Sequence, residues 1–169
     1  MSDHLADATA QPQPIIANKP IVTPILRDNY FAIIKNSAGS HLFREWYCAV
    51  DGERKEVMHG GNFSCAFYVT SIMKLLDLAS EIQITVHRAM AEMERSGWTR
   101  IDSPKPGAVV VWDAIPAEDT TWGTKAKHIG FCLDDGMAMS NDSKAGGPAV
   151  HPLDDRPVLA YYWHPKLEE

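Results

Sequence analysis

The sequence has few cysteines and lacks the motifs that hold a disulfide framework or a structural metal. Only Cys48, Cys65 and Cys132 are present in the 169 residues, and an odd, small number of cysteines does not form a disulfide pattern. No CxxC pair or Cys/His cluster has the spacing of zinc ligands. We therefore expect a reducing compartment and neither a metal nor an organic cofactor.

The chain also lacks an excess of positive charge. Its formal net charge is −6, whereas a protein that binds nucleic acid needs a basic face for the phosphates. No run of Lys and Arg predicts a membrane-surface patch, and no apolar run approaches the length of a membrane span. The first residues are acidic and lack the apolar stretch of a signal peptide. These absences favour a soluble, cytoplasmic protein that binds neither nucleic acid nor membrane, and they leave its oligomeric state open.

The composition that remains is that of an ordinary globular protein. Hydrophobic residues make up 45% of the chain, which is enough for a packed core. Residues 1–20 are polar, rich in proline and without apolar period, and they predict a disordered tail. The length of residues 21–169 fits a single domain.

Apolar periodicity predicts helices followed by strands. After the N-cap candidates Asn62 and Ser64, apolar residues recur at helical spacing up to Ala79. A second helix fits residues 82–96, with Gly97 as its C-terminal cap. Short apolar or β-forming runs predict strands within residues 21–34, 41–50, 108–112, 128–133, 137–141 and 158–163.

The order of these elements predicts the fold class. Helices that precede consecutive antiparallel strands indicate an α+β fold, with N-terminal helices packed on a small antiparallel sheet. Asp135-Gly136 lies between two of the strands and predicts a hairpin turn.

Cys65 and His128 are the candidate reactive residues. Cys65 lies in the first turn of the predicted helix, where the helix dipole and unpaired N–H groups favour the nucleophilic thiolate. Gly60-Gly61 just before it would let a substrate backbone approach closely. His128 begins a strand, and Gly130, two residues on and on the same face, leaves room beside the imidazole.

A histidine base needs a partner that orients it, and the returning strand offers three. If Asp135-Gly136 forms a two-residue turn, Gly130 faces Asn141, which then shares the face of His128. If the loop takes three residues, Gly130 faces Ser140, and Ser140 and Asp142 share that face instead. The Asp-Gly pair favours the shorter turn, so Asn141 is the preferred third residue and Ser140 the alternative.

Three segments in this order resemble the NlpC-type cysteine peptidases and the related CHAP amidases. NFSCAFYVTSIMKLL resembles their Cys-bearing helix, PKPGAVVVWD the strand introduced by Pro-Gly, and HIGFCLDDG followed by MAMSND the His-bearing strand and its return strand. The resemblance covers residues 60 to 165. It implies a papain-like, NlpC-type fold in which Cys65 is the nucleophile and His128 the base.

The resemblance also implies a cysteine peptidase or amidase that hydrolyses an amide bond, as in peptidoglycan stem peptides. Two departures from the family pattern stand out. Ser64-Cys65-Ala66-Phe67 replaces the usual Asp-Cys-Ser-Gly, and a direct count from His128 places Ser140 where many members have histidine. Two other functions are compatible with the same scaffold: acyl transfer by the Cys-His pair, and a binding module in which Cys65 is only a core residue.

Overall fold

The computed structural model describes residues 20–115 and 126–168, so nearly all of the predicted tail lies outside the described residues. Its helices and strands follow one another in this order: α1 (Leu26–Asn36), β1 (Tyr47–Val50), β2 (Glu53–Glu56), α2 (Cys65–Leu75), α3 (Val86–Arg95), β3 (Thr99–Ile101), β4 (Val109–Trp112), β5 (His128–Cys132), β6 (Met137–Asp142), β7 (Gly147–Pro152) and β8 (Val158–Trp163). The described strands form two antiparallel sheets, one of β1 and β2 and one ordered β3-β8-β4-β5-β6-β7. The α+β class is confirmed.

The first apolar segment is a helix, so the strand predicted within residues 21–34 is wrong. Tyr30 and Ile34, four residues apart, bury one face of α1, and Asp28 suits the positive end of the helix dipole. The Tyr30 hydroxyl donates to the Gly107 carbonyl at 2.8 Å. Tyr30 also packs edge-on against Phe131 of β5, with ring centroids 5.7 Å apart. Contact with the sheet therefore fixes this helix, and the local sequence alone does not reveal it.

The two predicted helices are present but shorter than the apolar pattern suggested. α3 begins at residue 86 rather than 82 because the Thr85 hydroxyl caps it, accepting from the Arg88 N–H. At its end, the Trp98 N–H donates to the Met93 carbonyl at 3.0 Å while Gly97 adopts a φ of 94°. This is the Schellman ending that glycine favours, and it confirms the predicted cap.

Three strands were not predicted: β2 of the two-stranded sheet, and β3 and β7, which lie at the two edges of the six-stranded sheet. β7 pairs with β6 along Gly147–Pro152, although it contains two prolines. A proline cannot donate to a neighbouring strand, which is tolerated only at an edge. β3 is only three residues long. Neither strand carries the alternation that identifies strands in a sequence.

The β5–β6 hairpin departs from the preferred register. Asp135 and Gly136 have φ values of 55° and 71°, as the predicted two-residue turn requires, and the Met137 N–H donates to the Asp134 carbonyl at 3.1 Å. The Leu133 N–H also donates to the Met137 carbonyl, at 2.8 Å. Two residues therefore oppose Met137, which is a β-bulge that moves the pairing by one residue.

The bulge decides which side chains share the face of His128. Gly130 pairs with Ser140, so the pairing of Gly130 with Asn141 was wrong and the alternative register is the observed one. Ser140 lies on the face of His128, whereas Asn141 lies on the opposite face with Met139. That opposite face carries Phe131, which contacts Tyr68 of α2 with ring centroids 5.5 Å apart. The core lies between this face and the helices.

Within residues 20–115 and 126–168, none of the helices has the length and apolar character needed to cross a bilayer.

Candidate active site

Cys65 is the first residue of α2, as predicted. The tight loop before it contains His59, Gly60 and Gly61, all with positive φ values between 52° and 98°. The first N–H donor to a helical carbonyl is that of Tyr68, which donates to the Ser64 carbonyl at 2.8 Å. The N–H groups of the first turn therefore have no helical acceptor and are available beside the sulfur.

The glycine pair does not have the role expected from the sequence. Neither Gly60 nor Gly61 lines the cavity in which Cys65 lies. Their positive φ values form the turn into α2, and such values are favourable mainly for glycine. A Cβ on Gly61 would also lie 3.3 Å from the Arg44 side chain. The pair therefore shapes the loop that presents Cys65 instead of lining a path for the substrate.

Asn141 fastens this loop to the sheet and does not contact His128. Its Nδ2 donates to the Gly61 carbonyl at 2.6 Å, and the same carbonyl accepts from the Ser64 hydroxyl at 2.9 Å. The interpretation of Asn141 as the residue that orients His128 is therefore not supported by the geometry, because the bulge turns its side chain to the helix face. Asn141 instead holds the start of α2 against β6.

The partner of His128 is Ser140, the alternative left open by the sequence. His128 Nε2 lies 2.7 Å from Ser140 Oγ, and Ser140 Oγ lies 2.7 Å from His151 Nε2. His151 Nδ1 lies 2.8 Å from the Pro152 carbonyl oxygen and 3.4 Å from Asp155 Oδ2. Two imidazoles are thus joined through the hydroxyl of Ser140, a residue that is only 2% exposed.

The chemistry of the acceptors assigns the protons along this chain when both imidazoles are neutral. A carbonyl oxygen only accepts, so His151 Nδ1 carries a proton and its Nε2 has a free lone pair. The Ser140 hydroxyl then donates to His151 Nε2. Since a hydroxyl has one proton, Ser140 accepts from His128 Nε2–H. The His128 Nδ1 lone pair is left free, in the state that a general base requires.

Trp112 fixes the planes of both imidazoles. Its ring centroid lies 5.5 Å from that of His128 and 5.4 Å from that of His151, and its Nε1–H donates to the Leu153 carbonyl at 2.8 Å. Gly130 leaves the room for this packing, because a Cβ there would lie 2.7 Å from Ser140 Cβ and 3.1 Å from the Trp112 ring. The expected space beside the imidazole is thus present, and Ser140 and Trp112 fill it.

Cys65 and His128 line the same cavity, whose volume is about 710 Å³. Ser140, His151 and Arg156 line it as well. Among the described residues no hydrogen bond joins the Cys65 sulfur to the His128 ring. The sulfur instead lies beside the N–H of Ile129, the residue that follows His128.

The protonation of Cys65 differs from the expectation for a helix start. Burial raises the pKa of the Cys65 thiol above its usual value, and this outweighs the N–H groups of Ala66 and Ile129 and the charge of Arg156, which lower it. The predicted preference for the thiolate is therefore wrong for the free protein. The helix start weakens the effect of burial without reversing it.

His128 is neutral at physiological pH. Burial, together with the charges of Arg156 and His151, lowers the pKa of His128 to about 3, and the charge of Asp142 opposes this shift. The resting pair is accordingly a thiol and a neutral imidazole rather than a thiolate and an imidazolium. Such a pair reacts when the imidazole removes the thiol proton during attack on a substrate.

His151 and Asp155 were not identified from the sequence. The neighbouring Pro152 and the missing strand alternation hide the strand that carries His151, and no motif spacing connects it with His128. The other cysteines lie elsewhere: Cys132 is buried, and Cys48 is partly exposed on β1. Burial raises the pKa of Cys132 to about 12, so this thiol is unreactive in the folded protein.

The described residues contain no group of three or more His, Cys, Asp or Glu side chains arranged to hold a metal ion. In comparisons with known proteins, no family model and no curated protein matches the chain.

Proposed function

We propose that the protein is a papain-like cysteine hydrolase that cleaves an amide bond, with Cys65 as nucleophile and His128 as base. One observation supports this most strongly: a cysteine at a helix start and a histidine with an oriented ring line the same cavity. A cysteine that served only as a core residue would have no need of either feature. The fold class, and the resemblance to the NlpC-type peptidases, agree with this proposal.

The reaction uses groups that the chain itself supplies. His128 Nδ1 accepts the Cys65 thiol proton as the sulfur attacks the substrate carbonyl. The N–H groups of the first turn of α2 stabilise the oxyanion that forms. His128 then donates the proton to the leaving amine, and the amide C–N bond breaks to leave a thioester. Water attacks the thioester, its proton passes to His128, and the acid product leaves as the thiol reforms.

The relay through Ser140 and His151 keeps His128 competent for both proton transfers. With Nε2–H held by Ser140, Nδ1 is the atom of His128 that accepts and releases the proton in each step of the cycle. Substrate binding closes the distance between sulfur and imidazole, because catalytic hydrogen bonds are often long in free enzymes and tighten in the substrate complex.

Hydrolysis of defined amides tests the proposal. The probes are purified peptidoglycan stem peptides and N-acylated dipeptide p-nitroanilides, with products identified by mass spectrometry. We expect turnover that Cys65→Ala abolishes and that Cys48→Ala leaves unchanged. Full turnover by Cys65→Ala would place the nucleophile elsewhere. Adding glycinamide as an acceptor separates hydrolysis from acyl transfer, because a transferase would release the acyl-glycinamide product in place of the free acid.

A further inference from the structure

The cavity beside Cys65 carries more positive than negative side chains, although the whole chain has a formal charge of −6. Lys127, Lys144 and Arg156 line it, together with the carboxylates of Asp142 and Asp155. A cavity of opposite sign to the protein around it attracts anions selectively.

Both carboxylates already have partners. Asp155 Oδ2 lies 3.4 Å from His151 Nδ1. Asp142 Oδ1 accepts from the backbone N–H of Lys144 at 2.6 Å and from that of Ala145 at 3.0 Å. Among the described residues, neither carboxylate forms an ion pair with Lys127, Lys144 or Arg156.

Arg156 differs from the other charged groups of the cavity. Its side chain is half-buried, yet among residues 20–115 and 126–168 it has neither a hydrogen bond nor an ion pair. Partial burial of a guanidinium without a partner is unfavourable. Its planar set of N–H donors matches a carboxylate in two parallel hydrogen bonds. Among the described residues, no carboxylate of the protein itself pairs with Arg156.

We propose that Arg156 binds a carboxylate of the substrate, so that the protein acts on amides of acidic peptides or amino acids. The inference rests on the proposed function, since it assigns the substrate of the same cavity. Arg156 lies within electrostatic reach of both reactive groups, because its charge lowers the pKa of the Cys65 thiol and of the His128 imidazole. A carboxylate on Arg156 would therefore lie close to the amide that Cys65 attacks.

Two alkylating reagents of nearly equal size test this proposal without knowledge of the substrate. Iodoacetate carries a carboxylate, and iodoacetamide carries a neutral amide in its place. The rate constant of each reagent at Cys65 is measured by peptide mass spectrometry, and their ratio is compared with that of Cys48 in the same molecules. Any change in the thiolate fraction of Cys65 affects both reagents equally, so the ratio reports on recognition of the anion.

We expect Cys65 to favour iodoacetate about three- to tenfold relative to Cys48, since a partly buried charge pair exceeds the small energy of an exposed one. Arg156→Gln should abolish this preference, and Arg156→Lys should retain part of it. Lys74→Gln, which removes an exposed cation that does not line the cavity, serves as the matched control and should change the ratio by less than about twofold. The preference should weaken at 1 M salt.

The outcomes separate this inference from the proposed function. Equal reagent ratios at Cys65 and Cys48, or a preference that survives Arg156→Gln, would overturn the role of Arg156 and leave the nucleophile intact. Failure of Cys65 to react with either reagent in the folded protein would instead count against the proposed function.

Protection from iodoacetamide distinguishes two positions of the carboxylate. The probes are N-acetylalanine, which has a terminal carboxylate, the α-amide of N-acetylglutamate, which has a side-chain carboxylate, and neutral N-acetylalanine amide. Protection of Cys65 by one acid at concentrations where the neutral amide has no effect supports the proposal and assigns the position. Equal protection by the neutral amide and both acids contradicts it.

Discussion

Replacing Ser140 with alanine removes the hydroxyl that joins His128 to His151. Both imidazoles lose a partner at 2.7 Å, and the Ser140 residue that supplies it is only 2% exposed. A buried polar group left without a partner costs about 1–3 kcal/mol. We expect the free energy of unfolding of Ser140→Ala to fall by about that amount.

The same substitution should affect Cys65, which Ser140 does not contact by any described hydrogen bond. Without the hydroxyl, the His128 tautomer with its proton on Nδ1 competes with the reactive one. A net hydrogen-bond energy of about 1 kcal/mol corresponds to a roughly fivefold change in the ratio of the two tautomers. For tautomers that are otherwise equal in energy, the population of the reactive tautomer then falls about twofold. We therefore expect iodoacetamide to alkylate Cys65 about twofold more slowly at neutral pH.

Ser37→Ala is the matched control. Ser37 is also buried, and its Oγ lies 2.6 Å from the Ile34 carbonyl oxygen and 2.8 Å from the Tyr68 hydroxyl, with no imidazole involved. In urea unfolding, Ser37→Ala should lose a similar free energy of unfolding, and its Cys65 should be alkylated at the wild-type rate. Nitrogen NMR of the imidazoles reports the tautomer directly. An unchanged His128 tautomer and an unchanged Cys65 rate in Ser140→Ala would refute the reasoning.

Three further predictions concern the frame around the site. Gly130→Ala places a Cβ 2.5 Å from a carbonyl oxygen of β6. It should lower the free energy of unfolding by about 1–3 kcal/mol and slow the alkylation of Cys65. Gly136→Ala, with φ of 71° and open space around it, should cost about 1 kcal/mol and leave Cys65 unaffected. Asn141→Asp should destabilise the protein more than Asn141→Ala, because it turns a carboxylate toward the Gly61 carbonyl that now accepts a hydrogen bond. Because the pKa of His128 is about 3 in the folded state against an ordinary value of 6.5, the unfolded state binds the proton first, and stability is lost as pH falls from 7 toward 3. Between pH 7 and 5 the wild type should lose about 1–2 kcal/mol more than His128→Asn.

Urea unfolding and Cys65 alkylation check all three. If Gly130→Ala and Gly136→Ala lost equal stability and had equal rates of Cys65 alkylation, the close approach of β6 to Gly130 would be contradicted. If Asn141→Asp were as stable as the wild type, the hydrogen bond from Asn141 to the loop before α2 would not contribute to stability. Parallel stability curves for wild type and His128→Asn between pH 7 and 5 would show that His128 does not resist protonation in the folded state.

The positions of Cys65 and His128 at the start of a helix and of a strand could be predicted from the sequence, because each depends on local pattern. Cys65 begins an apolar helical stripe behind N-cap residues, and His128 begins a strand with glycine two positions on. In the structure, both residues line the same cavity. Their protonation could not be predicted, because it follows from burial by distant elements.

The residue that contacts the His128 ring depends on one feature that sequence patterns do not reveal. The prediction of a two-residue turn at Asp135-Gly136 was correct. The bulge beside this turn moves the register by one residue, so that Ser140 and not Asn141 lies on the face of His128. A bulge shows itself only in hydrogen bonds between strands. His151 was beyond prediction for a similar reason, since it reaches Ser140 only through the pairing of an edge strand rich in proline.

Acetylation by p-nitrophenyl acetate tests the central claim most directly, namely that Cys65 and His128 react as a pair. We expect intact-mass and peptide analysis to find one acetyl group on Cys65 of the wild type, formed with release of p-nitrophenol. General-base assistance contributes about 100-fold or more, so His128→Asn should acetylate Cys65 at least 100-fold more slowly while Cys48 is unaffected. Acetylation of Cys65 at the same rate in both proteins, or none in the folded wild type, would contradict the account.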